Sequence, residues 1–205
     1  MRDISIFCED SFHENFVGAM LHRFGLDYGV AISCRFLSSR GGLPKMQTEF
    51  KEFLRDLGRE RIAPPDCILA VLDANCAGYN ERKGIMDRVL ETFPRFQQIV
   101  SYAIPDPHIE RWMLVDDMAF QAVFGRGCTL PALKCAKNEY KQLLAKEIRD
   151  SGVEPLLGGA EFAEDIVNKM NIGRAEVREA SLGLFLRALK MLFNTWSNRA
   201  PQRDQ

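Results

Sequence analysis

The ten residues from Asp66 to Asn75 constrain the fold more than any other stretch of this chain. They read DCILAVLDAN, in which six apolar residues are followed by Asp73 and, two positions later, by Asn75. An apolar run of this length between turn residues is typical of a strand buried on both faces of a parallel sheet. Asp73 and Asn75 then lie at the carboxyl edge of the sheet, where open α/β proteins bind ligands. Their oxygens suit a hard cation such as Mg²⁺, although a cap of the following segment explains a strand-end aspartate equally well.

Strand-like and helical patterns alternate along the first 125 residues. The strand-like segments are 4–8, 28–37, 67–72 and 98–104, and helical spacing of apolar residues follows each of them. This alternation predicts an α/β fold with a mostly parallel sheet of four or five strands, residues 68–72 in the centre and helices on both faces. After residue 125 only helical patterns remain, at 140–148, 160–170 and 176–197. We therefore expect an α/β core over 1–125 and a helical C-terminal extension over 126–205, packed together as one compact unit.

Two helix starts are predicted from capping patterns. Ser11 with Glu14 three residues later forms a capping box for a helix over 12–24. Asp106 followed by Pro107 is typical of an N-cap and a first helical residue.

Composition limits the classes of partner. The 205 residues carry a net charge of −1, so a nucleic-acid partner must be attracted by local patches. No apolar run approaches the roughly 18 residues of a membrane span, and the N-terminus does not resemble a signal peptide. The six cysteines include no CxxC pair, which disfavours zinc. We therefore expect a cytoplasmic protein with reduced thiols and no membrane partner.

Acidic or amide side chains follow three of the predicted strands. They are Glu9 with Asp10, Asp73 with Asn75, and Asp106 with Glu110. In a parallel sheet these strand ends share one edge, and clustered carboxylates repel one another unless a cation neutralises them. The pattern therefore favours a divalent metal site. A set of helix N-caps is the alternative, because helix dipoles also favour acidic residues on that edge.

These residues resemble the Toprim superfamily, the metal-binding α/β domain of topoisomerases, primases and overcoming-lysogenization-defect nucleases. Its pattern is a Glu after the first strand and Asp-x-Asp after a later hydrophobic strand. FCED at 7–10 is similar to the first element and VLDAN at 71–75 to the second, while AIPDPHIERW at 103–112 resembles small Toprim-like proteins of bacterial defence loci. The resemblance covers about residues 4–125. Asp10 replaces the usual Gly, and Asn75 replaces the second Asp.

The resemblance implies roles for individual residues. Glu9 is expected to be a general acid/base or metal-bridging group, and Asp73 the chief ligand of Mg²⁺ or Mn²⁺, with Asn75 as a weaker ligand. Four other acidic side chains form a second tier: Asp10, Glu14, Asp106 and Glu110. The phosphate-binding candidates are Arg82, Lys83 and Arg40. His13 falls on the apolar face of its helix and is expected to be a packed histidine, whereas His108 is expected near the site.

The predicted function is metal-dependent hydrolysis of phosphodiester bonds in DNA or RNA, as an effector of bacterial anti-phage defence. A non-catalytic Toprim-like assembly module, with Asn75 marking lost catalysis, is the first alternative. A phosphohydrolase of small nucleotides is the second. The partners implied are nucleic acid, a second copy of the chain, or another protein such as an ATPase. Replacing a solvent-facing Asp73 is expected to abolish cleavage and leave the fold intact.

Overall fold

The computed structural model describes residues 1–38, 41–75, 77–132, 135 and 138–198. Four strands form one parallel sheet in the order β2-β1-β3-β4. They are β1 (Arg2–Cys8), β2 (Ile32–Ser38), β3 (Cys67–Val71) and β4 (Val100–Ala103). β1 and β3 occupy the centre, and all five residues of β3 are buried. The predicted α/β class and the central position of the 68–72 run are confirmed.

Nine α-helices surround the sheet in the described part of the chain. They are α1 (Ser11–Asp27), α2 (Gly42–Gly58), α3 (Tyr79–Leu90), α4 (Ile109–Met113), α5 (Asp117–Phe124), α6 (Glu139–Arg149), α7 (Ala163–Lys169), α8 (Ile172–Arg178) and α9 (Ala180–Asn198). Two short 3₁₀ segments, Pro94–Ile99 and Ala160–Phe162, precede β4 and α7.

The sheet separates two hydrophobic layers. Alternate side chains of a strand point to opposite faces, so Cys67, Leu69 and Val71 of β3 join one cluster and Ile68 and Ala70 join the other. The first cluster contains α1 together with α4 to α9, and the second contains α2 and α3. Helices therefore cover both faces, as predicted, and the C-terminal helices share a core with α1.

Both predicted helix starts are displaced. The N-cap of α1 is Asp10, whose carboxylate accepts hydrogen bonds from the backbone N–H groups of Phe12 (3.0 Å) and His13 (3.1 Å). Glu14 is not part of a capping box and instead accepts a hydrogen bond from the Cys8 thiol at 3.9 Å. The helix after β4 begins at Ile109 with His108 as its N-cap residue, and the Asp106 carboxylate instead accepts a hydrogen bond from the Tyr79 backbone N–H.

The helix predicted over 176–197 is two helices. Glu179 separates α8 from α9 with an extended backbone (φ −133°, ψ 111°), and its buried carboxylate accepts a hydrogen bond from Arg111 Nε at 2.6 Å. This long-range ion pair interrupts a continuous apolar pattern, and it leaves Val177 85% exposed.

The cysteines differ from the expectation in one respect. Cys34, Cys67 and Cys128 are free thiols, but Cys135 is disulfide-bonded. The prediction of reduced thiols was therefore wrong for Cys135. None of the described helices is long and apolar enough to cross a membrane.

Candidate functional site

Asp73, just beyond the end of β3, is the centre of a histidine–carboxylate cluster. Its Oδ1 accepts hydrogen bonds from His13 Nε2 (3.1 Å) and from the Ile109 backbone N–H (3.0 Å). Its Oδ2 accepts one from His108 Nδ1 at 3.2 Å. The first helix and the segment entering α4 are thereby joined to the end of the third strand.

His13 is clamped between two carboxylates. Its Nδ1 lies 2.7 Å from Asp10 Oδ1, and its Nε2 lies 3.1 Å from Asp73 Oδ1. Because ionised carboxylates only accept hydrogen bonds, both ring nitrogens must carry protons. Burial alone lowers the pKa of His13, but the charges and hydrogen bonds of Asp73 and Asp10 outweigh it and raise the pKa well above 6.5. His13 is therefore an imidazolium with 1% of its surface exposed.

The same pairing acts on the two aspartates in the opposite direction. Burial raises the pKa of Asp10, but its hydrogen bonds from His13 and the imidazolium charge lower the pKa to about 2. For Asp73 burial is again the largest effect, and His13 and His108 together hold the pKa below its usual value. Both aspartates are therefore ionised at neutral pH.

The negative charge of Asp73 raises the pKa of two glutamates, Glu9 and Glu110. Glu9 follows β1 at the same sheet edge, since Cys8 pairs in register with Val71. Burial raises the pKa of Glu9, His13 opposes this effect, and Asp73 and Asp10 add to it. Burial followed by Asp73 also raises the pKa of Glu110 in α4. These repelling, partly desolvated carboxylates are the feature that a bound cation would stabilise.

His108 contacts Asp73 from the segment before α4. Its hydrogen bond to Asp73 is the largest influence on its pKa, which lies above 6.5, while burial acts against it. This bond engages Nδ1 and leaves Nε2 as the nitrogen for a substrate.

Two predicted residues shape the loop after β3. Asn75 has a left-handed backbone (φ 51°), and its Nδ2 donates to the Asp73 carbonyl at 3.3 Å. Arg82 Nε donates to the Ala74 carbonyl at 3.0 Å. The Arg82 charge also lowers the pKa of Glu9, by less than burial, His13, Asp73 and Asp10 change it.

The other predicted residues form hydrogen bonds away from the cluster or lie outside the residues that the structure describes. Lys83 donates to Asp87 Oδ2 at 2.7 Å, Asp106 binds Tyr79 N–H, and Glu14 binds the Cys8 thiol. Arg40 lies outside the described residues. Of the predicted acidic set, the structure brings Glu9, Asp10, Asp73 and Glu110 together.

The role of His13 was not predicted from the sequence. Its position on the apolar face of α1 hid it, because a histidine at such a position is usually a packed core residue. The available signal was the three-residue spacing from Asp10, which places two side chains on neighbouring positions of a helical turn.

Residues of the C-terminal helices form hydrogen bonds with the segment that carries His108 and Glu110. Ser181 Oγ accepts hydrogen bonds from Asp106 N–H (3.1 Å) and Trp112 Nε1 (2.9 Å), and it donates to Glu179 Oε1 (3.1 Å). Arg111, on the same short helix as Trp112, binds Glu179 and the Tyr140 hydroxyl. The segment that carries His108 and Glu110 is therefore held at Asp106 and at α4 by residues beyond position 125.

Comparison with known proteins adds no relative. No family model, curated protein or solved structure matches this chain. The resemblance to the Toprim superfamily therefore stays a prediction from the sequence.

Proposed function

We propose that this protein is a divalent-metal-dependent phosphodiesterase acting on DNA or RNA. The observation that carries the proposal is the convergence of Glu9, Asp73 and His108 at the carboxyl edge of two central strands. The Toprim resemblance implies the same activity, and it is the basis for proposing a cytoplasmic role in anti-phage defence.

The donor set fits Mg²⁺ or Mn²⁺. Within the described residues, no group of three His, Cys, Asp or Glu side chains is arranged to hold a metal ion. Mg²⁺, however, commonly uses only one or two carboxylates and completes its shell with water and substrate phosphate. Asp73 Oδ2 accepts one hydrogen bond, and among the described residues none donates to the Glu9 carboxylate. Glu9 and Asp73 would hold the ion, with the Asn75 side-chain carbonyl as a third oxygen donor.

A bound divalent ion would polarise the phosphate and lower the pKa of a water molecule. The chain's own groups position the reactants around that centre. His13, fixed by Asp10, orients the Asp73 carboxylate, and Asp73 in turn orients the His108 ring. His108 Nε2 is then placed to protonate the leaving oxygen, the usual role of a histidine held by a carboxylate. Arg82 is the proposed phosphate-binding cation, because its charge reaches Glu9.

A cleavage assay tests this function. Labelled single- and double-stranded DNA and RNA are incubated with the protein in Mg²⁺, in Mn²⁺ and in EDTA. We expect cleavage in either metal, none in EDTA, and a loss of at least about 100-fold in Asp73→Asn and His108→Gln. His22→Gln, an exposed histidine on α1, is the matched control and should cleave normally.

Four results would contradict the proposal. Cleavage that persists in EDTA would show that the reaction needs no metal ion. Full activity of Asp73→Asn would show that the Asp73 cluster is not the active site. Hydrolysis of mononucleotides alone would favour the small-nucleotide phosphohydrolase, and a complete lack of hydrolysis would favour the assembly module.

A further inference from the structure

A groove of about 550 Å³ runs along β4, between α3 and α9. Within the described residues β4 pairs only with β3, so its other edge faces this groove. Six of its lining residues define its chemistry: Tyr79, Lys83, Gln97, Ser101, Tyr102 and Leu184. Its volume lies within the range of about 300–1,000 Å³ of small-ligand sites. The lining combines aromatic rings, a carboxamide and a hydroxyl.

Two of the three charged groups that line the groove, Lys83 and Asp87, form an ion pair. Asp87 accepts hydrogen bonds from the Tyr102 hydroxyl and from Lys83, each at 2.7 Å. The Lys83 ammonium also lies over the Tyr102 ring, 4.9 Å from its centroid. Lys83 is therefore committed to an internal pair, and the remaining charged lining residue, Glu91, is acidic. This lining disfavours a phosphate and favours an uncharged planar group.

The groove is connected to the candidate site through one hydrogen bond. The backbone N–H of Tyr79, at the first residue of α3, donates to Asp106 Oδ2 at 3.3 Å. Asp106 lies two residues before His108, which contacts Asp73. The loop between β4 and α4 therefore contacts both the Tyr79 end of the groove, through Asp106, and the Asp73 cluster, through His108.

We propose that this groove binds an unpaired nucleobase of the substrate, next to the phosphodiester at the Asp73 cluster. Single-stranded nucleic acids are held by aromatic side chains on which bases stack. Tyr79 and Tyr102 line the groove, and Gln97 supplies a carboxamide for base edges. The inference rests on the proposed function and deepens it. It assigns a single-stranded substrate, because a paired base is not free to enter a groove.

The test fills the groove and measures binding without cleavage. Leu184→Trp places an indole in the groove from α9, and Ala188→Trp does so from the next turn. Met191→Trp is the matched control, since Met191 is an exposed apolar residue of the same helix that does not line the groove. The probe is a fluorescein-labelled strand of about eight thymidines, and its anisotropy is measured in EDTA. Circular dichroism checks that each variant is folded.

We expect both groove variants to bind the strand about tenfold more weakly than the wild type, the loss of roughly one stacked base. Met191→Trp should bind normally, and a duplex or an abasic strand of equal length should compete poorly. Unchanged affinity of both folded groove variants overturns the proposal, as does equal competition by the abasic strand. A further contrary result is an extended peptide that displaces the oligonucleotide from the wild type and from Met191→Trp but not from the two groove variants. That result would show that the groove binds peptides and would also overturn the proposal.

Failure of the function is distinguishable from failure of the groove. A wild type that binds thymidines through the groove but cleaves no nucleic acid in Mg²⁺ contradicts the proposed activity alone. A wild type that cleaves in Mg²⁺ while the groove variants keep full affinity contradicts the groove alone.

Discussion

His13 Nε2 lies 3.1 Å from Asp73 Oδ1, which ties the first helix to the end of the third strand. The two residues are 60 positions apart in the sequence. The buried imidazole donates a hydrogen bond to the carboxylate, so neither polar group is left without a partner. Asp73 is therefore both a candidate catalytic group and a partner of a buried imidazolium. This changes the expectation that its replacement leaves the fold unaffected.

We predict that Asp73→Ala loses both cleavage and stability. Removing the carboxylate leaves a buried His13 donor without its acceptor, which costs about 1–3 kcal/mol of unfolding free energy. Asp73→Asn keeps an acceptor and should lose less stability while still losing cleavage. Urea unfolding and the metal-dependent assay, performed on the same preparations, measure both effects.

Asp27→Asn, at the exposed end of α1, is the control and should stay within about 0.5 kcal/mol of the wild type. An active Asp73→Ala variant would show that the residue has only a structural role.

The central sheet was predictable because its signals are local. The runs that form β1 and β3 are apolar, end abruptly in polar residues and alternate with helical patterns. The break between α8 and α9 was not predictable, because the apolar pattern continues across Glu179. Its cause is Arg111, 68 positions away, and no local pattern encodes that contact. The same holds for His13, whose two partners become visible only when α1 is placed against β3.

The buried pair of Arg111 and Glu179 should dominate the junction of α4 with α9. Both side chains are about 7% exposed, and Arg111 also donates to the Tyr140 hydroxyl and the Pro131 carbonyl at 3.0 Å. Arg111→Met leaves an unpaired buried carboxylate, so we expect a loss of about 3–5 kcal/mol in urea unfolding. In the double variant Arg111→Met/Glu179→Gln the loss should be smaller, because no charge remains buried.

The exposed pair of Arg61 and Asp56 is the control for this experiment. Asp56→Ala should cost no more than about 1 kcal/mol, as for other surface ion pairs. Equal losses at the two pairs would show that burial does not determine the stability of this junction.

The free thiols away from the site should be unreactive in the folded protein. Burial raises the pKa of Cys34 to about 11 and is the largest cause of the rise to about 12 at Cys67 and Cys128. At pH 8 a thiol with a pKa of 11 is about 0.1% thiolate, and the thiolate is the form that alkylates. Iodoacetamide at pH 8, followed by peptide mass spectrometry, should leave these thiols largely unlabelled until denaturant is added. Rapid labelling of native Cys34 would contradict this prediction.

Gly183, in the first turn of α9, should not tolerate a side chain. A Cβ at this position would overlap the Glu176 carbonyl oxygen of α8, and a backbone atom cannot move aside as a flexible side chain does. Gly183→Ala should therefore destabilise the protein by about 1–3 kcal/mol through overpacking. Gly84, inside α3, is the matched control, because its Cβ would meet only Arg88 Nη1 at 3.8 Å. Gly84→Ala should stabilise by about 0.5–1 kcal/mol, since glycine weakens a helix interior. Urea midpoints at an unchanged m-value measure both, and a shift of the two variants in the same direction would show that close packing of α8 on α9 does not require Gly183.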